Sequence, residues 1–216
     1  MGDTASVDVF ISHSYEDRKL AGTIKEALAR YGVKAFIAHE DIDPTVEWQD
    51  AILQALKNCK ALVALLSQNF KSSKWTDQEL GVAVAFGKFI VPIGVELVPY
   101  GFIGKYQALR WRQDAPEESL QALWNIFMQR DLISKEGLIV WWSNSGDYYQ
   151  ANDRASVLAM AAPFTKPQVD AILNAALNNN QLTGSWSSAA FIRDLKRKQG
   201  EFVDPESWSR LEKWLA

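Results

Sequence analysis

Ala61-Leu-Val-Ala-Leu-Leu-Ser67 is apolar at every position before its closing serine. A run this short and this uniform fits a strand covered by helices on both faces, because a strand with one wet face alternates instead. The neighbouring segments agree. Val7-Asp-Val-Phe-Ile-Ser12 reads as a first strand, followed by an amphipathic helix from Asp17 to Tyr31 that Gly32 ends as a carboxy-terminal cap. Val33–Ala38 reads as the second strand, and Trp48 to Asn58 as a helix with Ile52, Leu53 and Leu56 on one face. Lys74 to Phe86 is the next helix, capped by Gly87, and Phe89–Val95 the fourth strand. A short fifth strand falls near Leu109–Trp111, and Glu117 to Met128 closes the layer as a helix. Strand and helix alternating in short units mean right-handed crossovers and a parallel α/β sheet of about five strands.

The composition changes after about residue 130. The expected division is a domain over 1–130 and a small, mainly helical module over 131–216. In the module, Leu138-Ile-Val-Trp-Trp142 reads as a strand and Ser143-Asn-Ser-Gly-Asp147 as a turn. Three short helices are expected from Pro163 onward, with Pro167 and Pro205 at helix starts and Thr165 and Asp204 as nearby caps. Gly184 and Gly200 are read as ending the first two. No internal repeat is visible.

Of the 216 residues, 48% are hydrophobic and 23% charged, the proportions of an ordinary globular protein rather than a disordered chain. A net charge of -3 and a pI near 5.5 argue against a nucleic-acid or anionic-membrane binder. Cys59 stands alone, which rules out an intrachain disulfide and a cysteine-based metal site, and it reads as a semi-buried structural thiol. No run of roughly 18 apolar residues is present to span a membrane. The first residues lack the basic and apolar regions of a signal peptide, so a cytoplasmic location is expected.

In an open parallel sheet, ligands bind beyond the carboxyl ends of the strands. That rule selects Ser12 to Asp17, His39 to Glu47, Ser67 to Trp75 and the loop after Val95. Both histidines, His13 and His39, fall in these loops. Known phosphate motifs fail. No Gly-x-Gly-x-x-Gly follows the first strand. Gly81–Phe89 has its second P-loop glycine one position late and Phe89 where Ser or Thr belongs. A phosphoacceptor needs acidic strand ends, and Ser12 and Ser67 stand there instead.

Trp75-Thr-Asp-Gln-Glu79 is more informative. The spacing puts Trp75 and Glu79 on one helix face, one turn apart, at the mouth of the cleft. An indole beside a carboxylate suits a planar cationic ring attached to a sugar: the indole stacks on the ring, and the carboxylate stabilises charge that develops on the sugar carbon. Nicotinamide leaves NAD+ as a neutral molecule, so one carboxylate can suffice where ordinary glycosidases use two. By spacing alone, however, a packing indole and a glutamate that serves the helix dipole account for the pair better.

The chain resembles a Toll/interleukin-1 receptor (TIR) domain. The likeness is carried by Val7-Asp-Val-Phe-Ile-Ser-His-Ser14, Ala35-Phe-Ile-Ala-His-Glu-Asp-Ile42 with Trp48-Gln-Asp-Ala-Ile52, Ser73-Lys-Trp-Thr-Asp-Gln-Glu79 and Gly87-Lys-Phe-Ile-Val-Pro-Ile93. It covers about residues 5 to 128 and implies a flavodoxin-like fold. In catalytic members a glutamate in the helix after the third strand cleaves NAD+, and Glu79 stands at that position. Trp75 matches a tryptophan four residues earlier in many bacterial members.

The resemblance therefore implies an NAD+ glycohydrolase that yields nicotinamide and ADP-ribose or a cyclic isomer. NAD+ is then the substrate, and no cofactor or metal is expected. Glu79 is the expected catalytic group, with Trp75, Ser12, His13, Ala38, His39, Asp43 and Ser67 around the substrate. The resemblance also implies homo-oligomers built through TIR–TIR contacts, a role in bacterial antiphage defence or signalling, and a separate effector or trigger protein. The loop called BB in the family often holds Pro-Gly. Here it reads Asp43-Pro44-Thr45-Val46, which puts its path in question, because Thr tolerates a left-handed backbone poorly. Two alternatives stay open: a non-catalytic adaptor that uses Glu79 structurally, and a nucleoside ribosyltransferase-like enzyme. The lack of a second carboxyl cluster beside Ser12 or Ser67 counts against the latter. Glu79 itself is expected to be partly exposed.

Overall fold

The computed structural model describes residues 8–38 and 48–215. The chain forms two compact units, the first of residues up to Ala29 and Val33–Leu132, the second of Arg30–Gly32 and the residues from Ile133 onward. The first holds a five-stranded sheet in which every pairing is parallel, in the order β2-β1-β3-β4-β5. Its strands are β1 (Val9–Ser12), β2 (Ala35–Phe36), β3 (Ala61–Leu66), β4 (Phe89–Gly94) and β5 (Leu109–Arg110). The helices are α1 (Arg18–Arg30), α2 (Trp48–Asn58), α3 (Gln68–Ser72), α4 (Thr76–Ala85) and α5 (Pro116–Gln129).

All six residues of β3 are buried, as a covered central strand requires. Phe10, Leu62, Ala64 and Leu66 from the sheet pack with Ile52, Leu56, Phe70, Leu80 and Ala83 from α2, α3 and α4. Cys59 is part of this core, where burial raises its thiol pKa and its Sγ lies 3.4 Å from the Leu56 carbonyl oxygen. Gly32 and Gly87 follow α1 and α4 with φ of +75° and +66°, the left-handed conformation expected of them. The second strand is shorter than expected, with only Ala35 and Phe36 paired, because it lies at the sheet edge with β1 as its one neighbour. A one-turn helix, α3, intervenes before α4; it forms because Ser67 Oγ accepts the Phe70 backbone N–H at 3.0 Å. As a result α4 begins at Thr76, not Lys74.

The second unit is helical among its described residues: α6 (Lys135–Ser143), α7 (Tyr148–Met160), α8 (Lys166–Asn178), α9 (Asn180–Gly184), α10 (Trp186–Lys198) and α11 (Pro205–Leu211). The strand expected at Leu138–Trp142 is therefore helix. Ser134 caps it by accepting the Gly137 N–H at 2.9 Å, and Leu138, Ile139 and Trp142 share its buried side while Val140 is exposed. Helix α7 had no counterpart in the sequence reading. From Pro163 onward there are four helices, not three: Asn179 adopts an extended backbone and its side chain caps α9, so α8 stops at Asn178 and Gly184 ends a helix of one turn. Thr165 and Asp204 stand at the expected caps. Trp142 is fully buried at the centre, with its Nε1–H donated to Ser188 Oγ at 3.1 Å. Among the described residues no helix is long and apolar enough to cross a membrane.

Leu62→Ala should cost about 3 kcal/mol of stability, since the fully buried side chain leaves a cavity that a close-packed sheet cannot collapse. Urea denaturation of both proteins measures this, and a loss below about 1 kcal/mol would contradict the packing described.

Candidate functional site

The strand order reverses between β1 and β3, because the chain leaves β1 toward β2 on one side and returns to β3 on the other. At such a switch point the loops after the two strands diverge and leave a crevice. Ser12 ends β1, and His13 and Ser14 follow it; Ser67 follows β3. All four are buried.

Glu79 reaches this place from the first turn of α4. That turn is fixed by Thr76, whose Oγ1–H is donated to the Phe70 carbonyl at 2.6 Å, and by the Glu79 N–H, which bonds the Trp75 carbonyl at 2.9 Å. The carboxyl is buried, with the residue only 7% exposed, and Ser12 Oγ–H donates to its Oε2 at 2.6 Å. The expectation of partial exposure is thus overturned: the loop leading to α4 seats the start of the helix against the end of β1. Burial disfavours the charged form and pushes the Glu79 pKa up to about 7, while the Ser12 hydrogen bond opposes the shift without cancelling it. A carboxyl with a pKa near 7 is divided between its two ionisation states at neutral pH.

A second carboxyl group stands beside Ser67. Asp17 Oδ2 accepts from Ser67 Oγ–H at 2.5 Å and from Ser14 Oγ–H at 2.7 Å. No second carboxyl cluster was expected beside Ser12 or Ser67, and what stands there among the described residues is the single Asp17 carboxyl. The one local trace of this in the sequence is the Ser14-x-x-Asp17 spacing, the kind that lets a side chain bond three residues on; the link to Ser67 spans 50 positions and is tertiary.

Trp75 is the residue immediately before α4 and is 39% exposed, so it shares the start of the helix with Glu79 but not its burial. Its ring meets Trp48, the first residue of α2, edge to face with centroids 4.3 Å apart and planes at 68°. His13 is buried, and its Nδ1 lies 3.3 Å from the Ile11 carbonyl oxygen, to which the Nδ1–H tautomer donates. Ala38 is half-buried and packs on the hydrophobic core around Phe10 and Leu62. His39 and Asp43 lie outside the described residues. The structure thus brings Ser12 to Glu79, Ser67 to Asp17 and Trp75 to Trp48, and of these partners Asp17 and Trp48 were not among the expected site residues.

A family model described as TIR domain matches residues 9–124, which apart from Arg30–Gly32 lie in the first unit. Over 100 residues the chain is 28% identical to a Brachypodium distachyon protein named probable 2' cyclic ADP-D-ribose synthase BdTIR, a match covering 45% of each chain. The chain thus spans a little under half the length of that relative. Among solved structures, the TIR domains of the activated Roq1 resistosome directly recognizing the pathogen effector XopQ superpose with a TM-score of 0.50 at 17% identity, over 56% of this chain and 99% of that one. The TIR domain of the Toll-related receptor TRR-2 of Hydra magnipapillata gives a TM-score of 0.49 at 23% identity, over 58% and 98%.

The buried carboxyl has a consequence for stability. With a folded-state pKa of about 7 against an ordinary 4.5, the folded protein keeps this proton where the unfolded chain has lost it. Glu79 therefore costs nothing below pH 4.5, and stability falls as pH rises from there to about 7, by on the order of 3 kcal/mol. Urea denaturation across this range should show Glu79→Gln gaining on the wild type as pH rises. A difference between the two that does not vary with pH would contradict the assignment.

Proposed function

We propose that this chain, which belongs to the TIR-domain family, cleaves the bond between nicotinamide and ribose in NAD+ with Glu79 as its catalytic group. The single observation that carries the reading is a buried carboxyl, poised near pH 7 and hydrogen-bonded to Ser12, at the carboxyl ends of the central strands. As the bond breaks, nicotinamide takes the bonding electron pair and leaves neutral, and the ribose carbon becomes cationic. A carboxylate in a water-poor site stabilises that cation far more than one in water does. The ionised form of Glu79 is thus the active one, and Ser12 keeps a useful fraction ionised at neutral pH.

Water attacking the cation gives ADP-ribose; a hydroxyl of the ADP-ribose itself gives a cyclic isomer. The name of the Brachypodium relative supports the cyclic outcome. Both outcomes share the first step, which is the one assigned to Glu79. In this proposal Trp75 stacks on the nicotinamide ring, and Ser67, His13 and Ala38 line the surroundings. NAD+ is a substrate here, and no cofactor is invoked. TIR–TIR assembly completes the active form, and the product acts in defence or signalling, either by depleting NAD+ or through a separate effector.

One observation favours a second reading. Asp17 beside Ser67 supplies the second carboxylate that a nucleoside ribosyltransferase-like reaction would use. In that case a nucleoside would be consumed in the presence of a free base while NAD+ stays intact.

Glu79→Gln should lower kcat for NAD+ cleavage on the order of a hundredfold or more; wild-type turnover in this variant would remove the centre of the proposal. In the wild type kcat/KM should rise with pH through about 7 as Glu79 ionises. Ser12→Ala removes the bond that favours the charged form and should move this rise to higher pH, whereas an unmoved profile would detach Ser12 from the chemistry. If assembly is required, specific activity should increase with protein concentration. A constant value over a hundredfold dilution would mean a monomeric site.

A further inference from the structure

Trp48 and Trp75 are about equally exposed, 42% and 39%, although they touch each other. Isolated exposed apolar residues are ordinary, but two adjoining indoles left open to water are not explained by packing. Their geometry says what such a pair can hold. When two rings meet edge to face, the edge-on ring keeps both faces open and the other keeps one. Each residue keeps about two-fifths of its surface open, and planes at 68° make a two-walled corner. A planar ring stacked on one wall meets the other with its edge. One wall alone permits such a ring to slide and rotate; the corner fixes its orientation.

The charges nearby suit a cation. Both indoles stand at helix starts, whose dipoles alone would repel positive charge. The first turn of α2 carries Asp50, and that of α4 carries Asp77 and Glu79, which offset this.

We infer that Trp48, together with Trp75, forms an aromatic corner that binds the cationic nitrogen heterocycle of the substrate and fixes its orientation. This makes Trp48 a binding residue that determines specificity, and it rests on the NAD+ cleavage proposed above. The ligand class is a planar pyridinium-type ring, recognised by two π faces.

The test compares Trp48→Leu and Trp48→Phe with Trp75→Leu and the Trp48→Leu/Trp75→Leu double variant. KM and kcat for NAD+ are measured, and the binding of 1-methylnicotinamide, a pyridinium cation with no bond to cleave, is followed by calorimetry. Trp48→Leu should raise KM roughly three- to tenfold, and Trp48→Phe, which restores a ring, by no more than about twofold. The double variant should lose less than the product of the two single losses, because the walls act as a unit. Binding of 1-methylnicotinamide should weaken in the same order. Leucine keeps the apolar contact with Trp75, so a purely structural role predicts equal behaviour of Trp48→Leu and Trp48→Phe. That equality, or an unchanged KM in Trp48→Leu alongside a raised KM in Trp75→Leu, overturns the inference and leaves the proposed function standing. Absence of NAD+ cleavage by the wild type, with 1-methylnicotinamide binding that still depends on Trp48, would refute the function and retain the corner. Absence of both would overturn both.

Discussion

The hydrogen bond from Ser12 to Glu79 joins the end of the sheet's first strand to the start of a helix 67 positions later in the sequence. It is the contact on which the site depends. An ionisable carboxyl withdrawn from water is costly in its charged form, and here one donor offsets only part of the cost. The fold makes this contact available because β1 lies beside β3 in a parallel sheet, so the chain that leaves β3 crosses the end of β1. Ser67 makes the equivalent link in the other direction, from the end of β3 to Asp17 after β1. Two serines ending neighbouring strands thus each hold a carboxyl group, and the two pairs pin the loops that border the crevice.

Such an arrangement costs stability where the carboxyl is charged. A glutamate paired with an arginine would be stable and permanently charged, with no reason to interact more strongly with a reacting sugar than with its partner. Among the described residues Glu79 instead has one neutral hydrogen-bond partner, and a helix amino terminus that favours its anion. Its charge is affordable but not neutralised. A cation that develops nearby would then supply the compensation that the protein withholds, which is how a site binds a transition state more tightly than a ground state.

The sheet was legible in the sequence because its signals are local. The uniformly apolar Ala61–Leu66 announces a covered strand, and Gly32 and Gly87 sit where a helix must end in a left-handed turn. The residues that end the strands follow directly, which is why Ser12 and Ser67 were found. Leu138–Trp142 was misread because a five-residue apolar run has no period of its own; the Ser134 cap decides for helix, and that depends on geometry. Asp17, Trp48 and the burial of Glu79 were illegible for a different reason. Each depends on a partner 27 to 67 positions away, and no local pattern encodes it.

The central claim is that the crevice beyond β1 and β3 breaks the nicotinamide–ribose bond. Incubating the purified chain at high concentration with NAD+ and separating the products by chromatography tests it most directly. The account predicts free nicotinamide in amounts equal to the NAD+ consumed, accompanied by ADP-ribose or its cyclic isomer. NAD+ that remains intact, under conditions where the protein is folded and concentrated enough to assemble, would contradict it.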